Sequence, residues 1–192
     1  MTINYDYENL ALRLWFQMHR VRDALMTCED QVFGEYGLTS EQYSVLMTIK
    51  YLQEPVRVTD IAHWLERSTN SISMIIDRMV KPGLLRRVRD RKDRRVVNVF
   101  ITSKGEKALK PASVAGLEFI REVLSPLSYE DRRTLVNLLQ MVKYKAFKYL
   151  DPGIDIEEMI RNEAKRHADL FERLTQYISP SIPEAKRQGG KK

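Results

Sequence analysis

Apolar residues recur every three or four positions over most of the chain, which predicts a largely helical protein. The pattern gives a first helix between Tyr7 and Phe33 with one continuous apolar stripe. Trp15 and Phe16 widen this stripe to a second face. A helix that is apolar on two faces needs more than one packing partner, so we expect this helix to contact more than the rest of its own subunit.

Capping signals divide the following segment into three shorter helices. Thr39 begins a capping box for a second helix, which Pro55 closes. Thr59 is predicted to cap a short third helix and Ser68 a fourth, which ends at Lys81-Pro82-Gly83. The positions expected to face inward in this pair of helices are Ile61, Ala62, Leu65, Ile72, Ile75, Ile76 and Met79.

Beyond the glycine the period changes from helical to alternating, which predicts a β-hairpin with a basic tip over about residues 84–101. Thr102 then opens a helix that is expected to kink at Pro111. Ser128 is predicted to cap a long helix, and Asp151-Pro152-Gly153 marks a boundary. A further amphipathic helix is expected over residues 155–178.

The positive charge of the chain is concentrated in the predicted hairpin. The net charge is +6, and residues 86–95 hold seven basic and two acidic side chains, a surplus of +5. Such a concentration favours a polyanionic partner, nucleic acid above all. The chain has no apolar run long enough to span a bilayer and no signal peptide, so we expect a cytoplasmic protein.

Two short helices followed by a basic hairpin have the order of a winged helix-turn-helix. The expected helix-turn-helix covers about residues 59–81. Glu66 stands in the turn where many such proteins have glycine. Short polar side chains at the start of the second helix are suited to approach base edges and phosphates. These candidate DNA contacts are Ser68, Thr69, Asn70, Ser71 and Ser73.

The chain resembles the MarR family of transcriptional regulators from about residue 8 to residue 149. The resemblance is most specific over residues 65–79 and 81–87, in Asp93-Arg94-Arg95, and in the exit segment 97–102. It implies that Arg95 enters the minor groove and that Asp93 orients the guanidinium of Arg95. It also implies phosphate contacts, which would be made by Arg78, Arg86, Arg91, Lys92 and Arg94.

The resemblance further implies a homodimer in which the first and last helices of two subunits intertwine on a pseudo-palindromic operator. The expected fold is therefore mainly α with a small β-hairpin wing and long N- and C-terminal dimerisation helices. Residues 1–150 would form this domain, residues 151–183 an extra C-terminal helix packed along the dimerisation helices, and residues 184–192 a disordered basic tail. Relatives often bind aromatic effectors, and a cavity for one would be lined by Trp15, Phe16, Met18, Tyr43, Met47 and Trp64.

Other functions are less well supported by the residues. Cys28, the single cysteine, lies on an apolar stripe and is expected to be buried and structural. The three histidines lack metal-ligand spacing, and no nucleophile elbow or phosphate-binding glycine loop is present, so we expect no metal, no cofactor and no catalysis. The alternative is a winged-helix interaction module that docks an acidic protein or RNA.

Overall fold

A computed structural model of the chain describes residues 5–90 and 96–178, and these ranges contain seven helices and three strands. No described helix is long and apolar enough to cross a membrane. The helices are α1 (Tyr5–Gly34), α2 (Ser40–Leu52), α3 (Val58–Trp64), α4 (Thr69–Val80), α5 (Ser103–Val123), α6 (Tyr129–Leu150) and α7 (Ile156–Ile178). The strands are β1 (Val56–Arg57), β2 (Leu85–Arg89) and β3 (Val97–Ile101).

Three of the four predicted caps are confirmed. The Thr39 hydroxyl accepts from the backbone N–H of Gln42 at 3.2 Å, and the Gln42 side chain accepts from the Thr39 N–H at 3.1 Å. Ser128 caps α6 with the same reciprocal pair of hydrogen bonds, made with Asp131, whereas Ser68 caps α4 by accepting from the Ser71 N–H. Hydrogen bonds from Ser128 hold the pKa of the exposed Asp131 below its usual value.

The prediction that Thr59 caps the third helix is wrong. The helix begins at Val58, so Thr59 lies inside the first turn. Arg57, the residue before the helix, donates its backbone N–H to the Asp60 carboxylate at 3.0 Å. The Asp60 carboxylate thus satisfies the N–H of the residue before the helix, and its negative charge in the first turn is favourable near the helix N-terminus.

The three strands form an antiparallel sheet in the order β1-β3-β2. The predicted hairpin is β2 and β3, with Leu85 opposite Ile101 and Arg89 opposite Val97. The sequence analysis missed β1, because two residues are too short to show an alternating period. This strand places Val56 opposite Val99, so the predicted two-stranded wing is extended to a three-stranded sheet at its base.

The apolar core is concentrated in the segment from α2 to α5. The largest fully buried hydrophobic side chains are Val45, Leu46, Ile49, Val56, Ile61, Ile72, Ile76, Met79, Leu85, Val99 and Leu109. Leu65, predicted to face inward, is half-buried. Gly105 shows how closely this region is packed, because a Cβ there would collide with the Leu84 carbonyl and lie 2.8 Å from Cγ2 of Ile101.

The chain divides into two compact units, Met1–Gly116 and Leu117–Lys192. In the second unit α6 contains no buried residue, although it carries seven leucine, valine and methionine side chains along its length. Glu163 of α7 is 8% exposed, forms an ion pair with Lys143, and accepts from the Tyr144 hydroxyl at 2.8 Å. In α5, Pro111 lies within a continuous helix.

Candidate nucleic-acid interface

The centre of the candidate interface is the pair α3 and α4. Ile61 and Ala62 of α3 are buried, and α4 buries its whole inner side of Ile72, Ile75, Ile76 and Met79. Apolar packing of this kind fixes two short helices that would not be stable alone. The polar side of α4 is thereby turned outward.

The turn between these helices includes a residue in an unusual conformation. Glu66 has a φ of 52°, in the left-handed region that favours glycine. The backbone N–H of Arg67 reaches back to the Ala62 carbonyl at 3.0 Å and closes the turn. The turn therefore has the geometry that a glycine would normally provide, and the glutamate adopts it.

The side chains predicted to contact DNA at the start of α4 differ in their exposure to solvent. Thr69 and Asn70 are exposed, whereas Ser71 and Ser73 are half-buried. The Ser68 hydroxyl accepts from the Ser71 N–H at 3.2 Å, so it is used as the helix cap. Thr69 and Asn70 are therefore the members of this group most available to a partner.

Sequence reasoning overlooked one side chain on the outer face of α4. Met74 is 58% exposed and lies one helical turn from Asn70 and one turn from Arg78. An exposed methionine at this place adds an apolar group to a polar surface. Helical spacing carries a signal for this residue, because positions 70, 74 and 78 lie on one side of α4.

The basic residues of the hairpin have different environments. Arg86 is exposed, and its guanidinium carbon lies 4.2 Å from the centre of the Phe100 ring. The neighbouring Arg87 turns the other way: its Nη1 lies 2.9 Å from Oδ1 of Asp77, and its Nη2 donates to the Ser73 carbonyl at 3.2 Å. The tip residues Arg91, Lys92, Asp93, Arg94 and Arg95 lie outside the described residues.

Arg78, predicted to contact phosphate, is exposed near the end of α4. It lines a shallow cavity of about 210 Å³, together with Ile75, Asp30 and Glu41. Nearby, the guanidinium of Arg67 lies 2.7 Å from Glu41. This ion pair joins the turn of the helix-turn-helix to the start of α2, another contact that sequence reasoning missed because the partners are 26 residues apart.

The six predicted effector-pocket residues have different environments within the single chain. Trp15 and Phe16 are 56% and 60% exposed, and Trp15 contacts His19 edge-on at 4.7 Å between ring centres. Tyr43 stacks on Phe33 at 4.0 Å, while Trp64 packs on Tyr51 at 4.1 Å. Trp15, Tyr43 and Trp64 thus each contact a different ring. Met18 and Met47 are each half-buried.

Burial has chemical consequences at Tyr43. Desolvation raises the pKa of its hydroxyl above the usual value, although a hydrogen bond with Ser113 acts in the opposite direction. The hydroxyl is therefore protonated throughout the neutral range.

The prediction that Cys28 is buried is wrong for the single chain, where this thiol is exposed on α1. The apolar stripe that predicted burial is itself largely uncovered along α1, as the exposed Leu14 and Val21 show. The carboxyl group of the adjacent Glu29 has its pKa raised by burial and by Asp30. Across residues 5–90 and 96–178, no cluster of three or more histidine, cysteine or acidic side chains is arranged to hold a metal ion.

A recognition helix with an exposed polar start, next to an antiparallel sheet whose strands β2 and β3 flank the basic segment 91–95 in the sequence, defines a winged helix-turn-helix protein. Comparison with known proteins agrees with this class. The model of the MarR family matches residues 38–97, which run from the start of α2 to the beginning of β3.

Relatives extend the match beyond this segment. The transcriptional regulator MgrA of Staphylococcus aureus is 30% identical over 138 residues, which are 71% of this chain and 92% of MgrA. PecS of Dickeya dadantii, another transcriptional regulator, is 29% identical over 116 residues, which are 59% of this chain and 70% of PecS. The chain belongs to the MarR family, whose members are DNA-binding regulators of transcription.

Solved structures share the fold. A mutant MarR from E. coli complexed with operator DNA has a TM-score of 0.64 at 21% identity, covering 70% of this chain and 96% of its own. The organohalide-sensing RdhR regulator in its 2,4-dichlorophenol-bound form has a TM-score of 0.70 at 16% identity. The match covers 78% of this chain and 88% of the RdhR chain. The predicted fold class, mainly helical with a small β wing, is confirmed.

Proposed function

We propose that this protein is a homodimeric repressor that binds a pseudo-palindromic duplex and is released from it by a small aromatic effector. The observation that carries the proposal is the exposed start of α4 beside a basic β-hairpin. In this proposal residues 1–150 form the DNA-binding and dimerisation domain, and the helix within residues 151–183 is an addition to that domain.

The recognition helix is proposed to enter the major groove with its N-terminal turn. Thr69 and Asn70 would contact base edges, because both are exposed and an amide can pair with adenine in two places. The other candidate contacts would lie closer to the sugar-phosphate backbone of the DNA; these are Ser68, Ser71 and Ser73. Met74 is well placed to contact the 5-methyl group of thymine, the apolar feature of the major groove.

The hairpin is proposed to follow the neighbouring minor groove. Arg95 would enter the minor groove and Asp93 would orient Arg95, as the resemblance to the MarR family implies. The phosphate contacts would come from Arg78, Arg86, Arg91, Lys92 and Arg94. Such contacts supply affinity that depends on salt and carries little sequence information.

A second copy of the chain is the proposed partner for the uncovered apolar helices. On α6 the side chains of Leu135, Leu138, Leu139 and Val142 are between 41% and 54% exposed, and they share one face of the helix. On α1 the side chains of Leu14 and Val21 are more than half exposed. A two-fold dimer would bury both faces and present two α4 helices about 34 Å apart, one turn of duplex DNA.

The effector is proposed to bind among the aromatic residues of α1 and α2 after dimerisation has covered Trp15 and Phe16. The RdhR regulator, which shares the fold, has been solved with 2,4-dichlorophenol bound. A ligand that binds one arrangement of the dimer better than another shifts the population away from the DNA-binding form.

Selection of bound fragments from genomic DNA, followed by mobility-shift assays at several salt concentrations, tests the proposal. We expect a two-fold related site. We expect Arg95→Ala to cost about 1–3 kcal/mol of binding free energy, and Lys92→Ala to reduce the salt slope by about one. A protein that is monomeric and binds no duplex at low salt contradicts the proposal. Selective binding of RNA or of an acidic protein would support the interaction module instead.

Repression and release need a second measurement. Transcription in vitro from the selected promoter should fall when the protein is added. A panel of phenols and aromatic acids should restore it, and a matched panel of aliphatic acids is the control. Full repression in the presence of every aromatic compound would remove the effector from the proposal while leaving DNA binding intact.

A further inference from the structure

We infer that Arg87 is a positioning residue, which fixes the wing against the recognition helix and promotes operator binding without contacting DNA. The inference rests on the proposed function and concerns one member of the basic stretch. From sequence alone, Arg87 is indistinguishable from its basic neighbours. The structure assigns it a different partner.

Alternation along β2 decides where this side chain points. Leu85 is buried, and Arg87 lies two residues further on the same face of the strand, opposite the fully buried Val99. Arg86 lies on the other face, opposite Phe100. The side chain of Arg87 is accordingly directed toward α4, while Arg86 is directed away from it.

The planar guanidinium of Arg87 contacts two points on α4. Its Nη1 lies 2.9 Å from Oδ1 of Asp77, and its Nη2 lies 3.2 Å from the carbonyl oxygen of Ser73. Ser73 and Asp77 are four residues apart, so they are one helical turn apart on the same side of α4. One rigid, forked group therefore joins the middle of β2 to a full turn of the recognition helix.

This arrangement also explains an acidic residue on a surface that faces a polyanion. Asp77 is 63% exposed on α4 and would by itself repel phosphates. As the acceptor for Arg87, it instead holds the strand that carries Arg86 and Arg89 at a fixed place relative to the start of α4. Both DNA-contacting elements then approach the duplex already in their relative positions, which lowers the entropy lost on binding.

Operator affinity of full-length variants tests the inference, because positioning and simple electrostatics predict opposite signs. Asp77→Asn removes a negative charge and should strengthen binding if only charge matters. We expect it to weaken operator binding about two- to fivefold, the range of a partly exposed ion pair. Arg87→Lys, which keeps the charge and loses the fork, should also weaken binding.

The salt dependence separates positioning from phosphate contact. Arg87→Ala should lower affinity at every salt concentration and leave the salt slope unchanged, whereas Arg86→Ala should reduce the slope by about one. The double variant Arg87→Ala/Asp77→Asn should bind no more weakly than Arg87→Ala alone, because both changes remove the same contact. Glu157→Gln, which removes an exposed acidic partner of Arg161 on α7, is the matched control and should bind like the wild type.

The outcomes are distinguishable. Asp77→Asn that binds as tightly as the wild type or more tightly overturns the inference, and so does a slope reduced by one in Arg87→Ala. Asp77→Asn is nearly isosteric at an exposed position, so it tests the inference even where Arg87→Ala fails to fold. A wild-type protein that binds no duplex contradicts the proposed function and this inference together. A wild-type protein that binds its operator, with an Asp77→Asn variant that binds no more weakly, contradicts only the inference.

Discussion

Helices α4 and α6 show the same kind of amphipathic pattern, and the fold treats them differently. In α4, four apolar side chains are buried within the chain, and Ile72 and Ile76 are wholly inaccessible to solvent. In α6 no side chain is buried, and Leu139 remains 49% exposed. Periodicity therefore predicts that a helix has an apolar face but does not predict which molecule covers it. For α6 we propose that a second copy does so.

The largest effect should follow from placing a charge on the uncovered face. We expect Leu139→Glu to convert the proposed dimer to a monomer, since burying an unpaired carboxylate in an apolar interface is unfavourable. Operator affinity should fall by at least about 100-fold, because a monomer has one recognition helix and loses the gain from binding both half-sites at once. Sedimentation equilibrium and mobility-shift assays measure the two effects.

The matched control for this variant is Asn137→Glu. Asn137 lies on the opposite side of α6 from Leu139 by helical spacing, so the same charge should leave the dimer intact. If both variants, or neither, change the oligomeric state, the face defined by the leucines is not the interface.

A second prediction concerns the face that the chain covers itself. Ile76→Ala in α4 should reduce the free energy of unfolding by about 2–5 kcal/mol, because it leaves a cavity in a core that cannot fully collapse. Urea denaturation measures this. Met74→Ala on the exposed side of the same helix should change stability by less than about 0.5 kcal/mol. Equal losses would show that α4 is not buried as described.

Close packing within the same region gives a third prediction. Gly105→Ala should destabilise the protein by about 1–3 kcal/mol, because the added methyl group meets the Leu84 carbonyl and Ile101. Gly34→Ala is the control, since a Cβ there has no atom within 4 Å. Thermal unfolding of both variants compares them. A fully stable Gly105→Ala would mean that the contact between α5 and the sheet is loose.

The smallest effect is expected in the turn before α4. Glu66→Gly should stabilise the protein by about 0.5–1 kcal/mol, because relief of the left-handed backbone at φ 52° exceeds the added freedom of glycine in the unfolded chain. Glu66→Gln removes the charge and keeps the backbone cost, so it should show no gain. A gain in both variants would point to the charge of Glu66 instead.

Much of the fold was predictable because the signals are local. The caps at Thr39, Ser68 and Ser128 each depend on residues within three positions, and all three are confirmed. The strands of the wing were predicted from alternation over a few residues. By contrast, β1 was missed, because two residues carry no period and the strand forms only by pairing with β3.

The candidate site was predictable in part for the same reason. The polar start of α4 follows from its cap and its apolar spacing, and Thr69 and Asn70 are exposed as expected. The exposed Cys28 was not foreseen, because the apolar stripe around it gave no information on what covers the stripe. The environments of Arg86 and Arg87 were also hidden, since each depends on a partner that folding brings close.

The sequence by itself determined the helices and their caps, the hairpin, the position of the basic stretch and the membership of a family of DNA-binding regulators. The helices, the caps, the hairpin and the basic stretch follow from short-range periodicity, from backbone hydrogen bonding near helix ends and from charge, which are all properties of neighbouring residues. The family follows from the resemblance of the motifs in residues 65–87 and 93–102 to those of known regulators. Only the tertiary structure decided that Arg87 is bound to Asp77 and Ser73, that β1 completes the sheet and that no residue of α6 is buried within the chain. Each of these depends on groups distant in sequence that packing either brings together or leaves apart.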